Sequence, residues 1–267
     1  MAHVDVASTS PTTSTLSRTS PLADLVVACR PWISTVDWPG VLAATVSTQG
    51  CPWRCASCHG PGLQDVLAPG TSATSDAMDW PGVVAWLRHR RALLDGVVLS
   101  GGEPTLHAGL PDAVAEVRSL GLGIGLLTSG VWPARLARLL PLVDWVGLEV
   151  KHLPSRYAAT TGSASSARRA FESLAVLLRS GVDHEVRTTV DPVAHTRADL
   201  LALGEHLRSL GVRRWALYDP RTDGADPGWV AAVGGRGIDD VLEEADLAWA
   251  TRRRRRQAVA GSSVTSG

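Results

Sequence analysis

The stretch Cys51-Pro52-Trp53-Arg54-Cys55-Ala56-Ser57-Cys58-His59 holds three of the chain's four cysteines in a C-x3-C-x2-C spacing, directly after an apolar run. Thiolates this close in sequence converge on a soft metal centre, and tight cysteine spacing is how iron-sulfur clusters are gripped. A [4Fe-4S] cluster held by three thiolates keeps one iron open to a substrate or cofactor, which is the design of a catalytic site. A structural zinc asks for a fourth Cys or His from a second spaced pair, and His59 is adjacent to Cys58 and would strain to share its metal. A disulfide framework fits less well, because the cysteines are few and no secretory segment precedes them. Cys29, alone in an apolar run, reads as a small buried hydrophobe.

The chain has 267 residues, 45% of them hydrophobic, enough for the core of one large α/β domain. Its 26 basic and 26 acidic residues cancel. No global field therefore points to nucleic acid or a membrane, and no apolar run is long enough to span a bilayer. A soluble, cytoplasmic protein is expected. Lys151 is the only lysine in a chain whose other basic residues are arginine. Residues 1–24 are expected to be a disordered lead-in rich in Ser, Thr and Pro, without the positive start and continuous apolar core of a signal peptide. A core domain is expected over 25–222, a C-terminal helical extension over 223–251 and a basic, flexible tail over 252–267.

Apolar periodicity alternates between short strands and helices. Strands are expected at Val41 to Ser47, Val97 to Leu99, Gly123 to Thr128, Trp145 to Val150, His184 to Val190 and Arg213 to Tyr218. A helix opening at Asp79-Trp80-Pro81 and helices at Pro111 to Leu120, Ala134 to Leu140, Ala164 to Ser180 and Arg197 to Leu210 separate them, and a last helix is expected over Asp239 to Trp249. Six such units predict a parallel sheet with right-handed crossovers, a partial (β/α)6 TIM-like barrel instead of a full eight-fold one.

The special residues follow successive strands: the cysteines the first, Gly101-Gly102-Glu103-Pro104 the second, Thr128-Ser129-Gly130 the third, Lys151 the fourth. All crowd the C-terminal rim, where parallel α/β folds build their sites. Gly101-Gly102 lets backbone approach a ligand or makes an ordinary turn; Glu103 offers a carboxylate to an amino group. Thr128-Ser129 either bonds a sugar or makes an ST-type turn. Lys151 meets a carboxylate or is solvated, and Arg187, amid strand apolars, suggests a bidentate carboxylate ligand. Gly121-Leu122-Gly123-Ile124-Gly125 resembles a dinucleotide loop superficially, but it precedes a strand. Arg252 to Arg256 reads as a solvated end, and His107, His152 and His195 as surface residues of rim loops.

Cys51/Cys55/Cys58 followed by Gly101-Gly102-Glu103-Pro104 resembles the joint signature of the radical S-adenosylmethionine superfamily. Ser34 to Gly40, Thr48-Gln49-Gly50-Cys51, Cys58-His59, Ser100 to Leu106 and Arg187-Thr188-Thr189-Val190 look like the anaerobic ribonucleoside-triphosphate reductase activating proteins, over about Ser34 to Asp219. The resemblance implies a [4Fe-4S] cluster on the three cysteines whose open iron chelates S-adenosylmethionine and whose electron cleaves it to methionine and a 5'-deoxyadenosyl radical. That radical would install a glycyl radical on a partner, an anaerobic ribonucleotide reductase, with flavodoxin or ferredoxin as electron donor. By similarity, Gly101, Gly102 and Glu103 would hold the methionine amino end. Thr128 and Ser129 would lie near the ribose, and Lys151 and Arg187 near the carboxylate. Gly60, Leu127 and Glu149 depart from the family, which commonly has Asn, Asp and Asp there. A radical enzyme acting on a nucleoside-like small molecule is the alternative; the absence of a separate substrate domain favours a protein substrate. A non-catalytic zinc or cluster-binding module would leave Gly101 to Glu103 and Arg187 unexplained.

Overall fold

The structure, a computed structural model, describes residue 22, residues 25–67 and residues 77–253. The expected lead-in, apart from Leu22, and the tail beyond Arg253 lie outside these residues. Eight strands form one sheet in sequence order. They are β1 (Trp32–Ser34), β2 (Ala43–Thr48), β3 (Gly96–Gly101), β4 (Gly123–Thr128), β5 (Trp145–Glu149), β6 (Asp183–Thr189), β7 (Trp215–Tyr218) and β8 (Thr251–Arg253). β1 runs antiparallel to β2 and every other pair is parallel. The sheet is an open, curled half-barrel with β1 and β8 at its edges, as the six βα units predict.

The connecting helices are α1 (Trp80–Arg90), α2 (Leu110–Ser119), α3 (Pro133–Leu139), α4 (Pro154–Thr161), α5 (Ser166–Ser180) and α6 (Arg197–Ser209), with α7 (Pro227–Val233) after β7. Their starts are chemically marked. Asp79 caps α1 by accepting from Gly82 N with Pro81 behind it, and Thr196 and Asp199 form a capping box on α6. Strand residues alternate between two faces. Val46, Val97, Leu99, Ile124, Leu126, Val146, Leu148, Val186 and Leu217 join the buried core under the helices. Their neighbours, including Thr45, Gly96, Gly125, Trp145, Gly147, Glu185, Arg187 and Tyr218, therefore face the lumen.

Three expectations change. The helix expected over Ala164 to Ser180 starts at Ser166, and α4, which was not expected, precedes it; Gly162, with φ 69°, ends α4 in the left-handed conformation that glycine adopts without strain. Asp239 to Trp249 is a short 3-10 turn at Ile238–Asp240 followed by further turns, not a helix. Arg252 and Arg253 are not a solvated end: they belong to β8, and Arg253 Nη2 lies 2.6 Å from Glu185 Oε2. No helix among the described residues is long and apolar enough to cross a membrane.

Candidate active site

The cysteine loop leaves β2 through Gly50, whose φ of 101° suits glycine, and is tied down along its length. Gly50 N donates to Leu63 O at 2.8 Å and Cys51 N to Gln64 O at 3.0 Å. Gln49 Nε2 donates to Gly62 O and Asp65 O, at 2.7 and 2.9 Å. Trp53 is buried and meets Tyr157 edge-on, ring centres 5.8 Å apart. The three cysteines are half-buried and line one cavity at the carboxyl ends of the strands. Burial pushes the Cys51 thiol up to about 12, against the pull of the Trp53 backbone, and burial also raises Cys55. Both are thiols at neutral pH, so a metal that binds them displaces protons.

Gly101 and Gly102 splice the end of β3 onto the root of this loop. A Cβ on Gly101 would stand 2.2 Å from Thr48 N and O, and one on Gly102 2.5 Å from Gly50 O and Leu63 O. Gly102 N donates to Thr48 O and Glu103 N to Gly50 O, each at 2.9 Å. The glycines thus bring backbone against backbone while both remain in the cavity wall. Glu103 lies behind that wall and is fully buried. Its carboxylate accepts from Thr105 N and Oγ1 at 3.2 and 2.5 Å, from Thr128 Oγ1 at 2.6 Å and from Ser129 N at 2.9 Å. Burial raises its pKa in spite of these four donors. Glu103 therefore joins the ends of β3 and β4. Thr128 is buried with it and accepts from Gly130 N in the ST-type turn, whereas Ser129 reaches the cavity.

Lys151 Nζ stands 3.1 Å from Glu149 Oε2, and both line the cavity. Burial opposes both charges, but the carboxylate outweighs it and holds the Lys151 pKa up, while the ammonium and bonds from Lys151 and Thr189 hold Glu149 down. The pair is charged. Arg187, expected to await a ligand carboxylate, is absent from the cavity wall. Its Nε donates to Glu185 Oε1 at 3.0 Å and its Nη2 to Asp37 O at 2.8 Å, and its guanidinium lies 4.8 Å from the Trp145 ring centre and 5.0 Å from that of Tyr218. An arginine on the lumenal face found its partners inside the chain.

His107, His152 and His195 are buried, not surface residues. His107 Nε2 donates to Gln49 O at 2.9 Å, and the His152 and His195 rings lie 4.5 Å apart. His195 lines the cavity; its Nδ1 accepts from Asp191 N at 2.9 Å and its Nε2 donates to Lys151 O at 2.8 Å. Burial, then the His152 ring, lower its pKa to about 4, so it is neutral. Asp191, Thr189 and Arg221 also line the wall and were not anticipated. Asp191 is fixed by Trp229 Nε1 of α7 at 3.1 Å, and Arg221 by Asp223 at 2.6 Å. Thr189 at the end of β6, and Asp191 and Arg221 just after β6 and β7, held the available signal.

Among the described residues, no three His, Cys, Asp or Glu side chains converge at the spacing one metal ion needs. Three free thiols on one cavity wall are the donor set that a cluster with each thiolate on a different iron calls for. A parallel half-barrel with three thiols, a charged lysine and a glycine-lined strand end around one rim cavity defines a cofactor-dependent α/β enzyme. The profile of the Radical SAM superfamily matches residues 45–213, more than half the chain, and the chain belongs to that superfamily. The family implies S-adenosylmethionine and a [4Fe-4S] cluster.

The pyruvate formate-lyase-activating enzyme of Staphylococcus aureus is 28% identical over 188 residues, 67% of this chain and 73% of that one. A Methanocaldococcus jannaschii protein named a candidate glycyl-radical enzyme activating enzyme is 23% identical over 201 residues, 71% of this chain and 78% of that one. In fold, a radical SAM methyltransferase from Sphaerobacter thermophilus matches with a TM-score of 0.54 at 18% identity, over 81% of this chain and 69% of that one.

Proposed function

We propose that this chain is a glycyl-radical enzyme activating enzyme, with an anaerobic ribonucleotide reductase as its protein substrate. The observation that carries it is the convergence of Cys51, Cys55 and Cys58 with Gly101, Gly102, Ser129 and Lys151 on one rim cavity; the similarity to two activating enzymes supports it. The three thiolates would hold a [4Fe-4S] cluster. With one electron from an external donor, cluster and S-adenosylmethionine would supply the radical chemistry, cleavage to methionine and an adenosyl radical able to take a hydrogen from the partner's glycine. The chain's own work is positioning. The backbone edge at Gly101 and Gly102 would meet the methionine amino end, Ser129 the ribose and the Lys151 ammonium the carboxylate. Glu103 and Thr128 hold that edge from behind. Arg187 acts at one remove, by fixing the lumen.

The test is anaerobic reconstitution with iron and sulfide, reduction, and addition of S-adenosylmethionine with either an anaerobic ribonucleotide reductase or a pyruvate formate-lyase. The reduced-cluster EPR signal should shift on adding the cofactor, 5'-deoxyadenosine should form, and a glycyl-radical signal should grow on the reductase. Cys55→Ala should abolish all three. A signal on the lyase alone reassigns the partner, and a cluster indifferent to the cofactor overturns the reading.

A further inference from the structure

Beyond Glu149 and Arg187, the last ladder pair of β5 and β6, the backbone must find other partners. Val150 still finds them in β6: its N donates to Arg187 O at 2.8 Å, and its carbonyl accepts from Thr188 Oγ1 at 2.6 Å. Lys151 is held differently. Its N donates to Tyr157 Oη at 3.1 Å, and its carbonyl accepts from His195 Nε2 at 2.8 Å. The lysine of the cavity wall is thus gripped at both ends of its backbone by side chains from outside the strand, one in α4 and one in the loop after β6.

Tyr157 is fully buried, its ring meeting Trp53 edge-on on one side and Phe171 on the other, ring centres 5.8 and 6.0 Å away. Trp53 belongs to the cysteine loop, and the next turn of α4 grips that loop again, Arg54 N donating to Thr161 O at 2.9 Å. Burial pushes the Tyr157 phenol up, so it stays protonated: its oxygen accepts from Lys151, leaving its proton for the Glu149 carbonyl 3.5 Å away. Packing on the loop calls for the ring alone. A buried hydroxyl needs a partner, and this one serves the peptide of the lysine.

We propose that Tyr157 is a positioning residue: with its ring on Trp53 and its hydroxyl on the Lys151 N–H, it sets where the lysine ammonium stands relative to the cysteine loop, and His195 steadies the same residue from its carbonyl side. The proposal rests on the reading of Lys151 as the partner of the cofactor's carboxylate. With its backbone fixed at both ends, the side chain has few ways to cross the cavity, and Glu149 Oε2 at 3.1 Å holds the ammonium in one of them. A cation set in advance meets a carboxylate without first ordering a long, flexible side chain.

The experiment uses the full-length protein. Produced with lysine labelled with nitrogen-15, the unloaded chain has a single ammonium resonance, that of Lys151. Pairing with Glu149 should slow its exchange with water enough to show it at neutral pH in wild type and in Val84→Ala, a destabilised control in the α1 packing. Tyr157→Phe should erase it. His195→Leu, which removes the donor to the lysine carbonyl, should weaken it, and His195→Gln, whose amide can donate there, should bring it back. In the reconstituted protein, Tyr157→Phe should bind S-adenosylmethionine several-fold more weakly and bind the decarboxylated form, which lacks the carboxylate, as wild type does. An ammonium signal that Tyr157→Phe leaves unmoved overturns the proposal, as does equal weakening of the two ligands or a wild-type signal already lost to exchange. If Tyr157→Phe does not fold, a signal that survives intact in His195→Leu overturns it. If wild type binds neither ligand, the reading of the cavity fails, while the ammonium signal still decides whether Tyr157 holds Lys151.

Discussion

Glu103 sits in the most recognisable motif of the chain, yet its carboxylate faces away from the cavity and satisfies Thr105, Thr128 and Ser129. A buried donor left without an acceptor costs about 1–3 kcal/mol. Glu103→Gln turns an amide N–H toward one of these donors, so urea denaturation should show a loss of that size even without cofactor; an unchanged midpoint would show that the carboxylate does not join the strand ends. The residues legible in the sequence were those with unusual chemistry for their setting: the clustered thiols, the glycine pair, the lone lysine. Arg187 and His195 were misjudged because a strand pattern gives the face but not the partner. Arg187 was read as open to a ligand when Glu185 and the Asp37 carbonyl already hold it. His195 was read as loop surface when the His152 ring and the Lys151 carbonyl enclose it.

Among the elements, the six parallel strands and most of their helices were legible, because each pairs a short apolar run with a 3.6-residue pattern and a chemical start signal. β8 was not. Three residues, Thr251–Arg253, carry no apolar alternation, and the strand is defined by what lies opposite it: Arg253 donates to the buried Glu185, which Arg187 and Tyr218 also bond. Arg253→Gln leaves that carboxylate short of a partner. It should lower the free energy of unfolding by about 1–3 kcal/mol, measured in urea, with Arg253→Lys recovering part of the loss. Equal stability of the Gln variant and wild type would mean that β8 is held by its backbone alone.

For the molecule as a whole, the enclosed rim sets a pH response. His195 has a folded pKa of about 4 against an ordinary 6.5. Above 6.5 both folded and unfolded chains carry it neutral; as pH falls, only the unfolded chain takes the proton, so stability drains away between about 6.5 and about 4. His195→Asn should flatten that acid limb by on the order of 3 kcal/mol when unfolding is followed from neutral pH to pH 4; matching curves would refute it. The half-barrel and its rim could be foreseen because topology places strand ends together whatever the loops do, while the seat of Trp38 against Gly96, Gly123 and Gly125 could not, since Trp38 lies 58 residues from the first of these glycines. The lone lysine has a last consequence. Because Lys151 stands in the cavity as the chain's only ε-amine and Glu149 keeps it protonated, an amine-reactive tag has one side-chain target, and its slow incorporation at Lys151, read by peptide mapping apart from the α-amine, becomes a covalent footprint of that cavity.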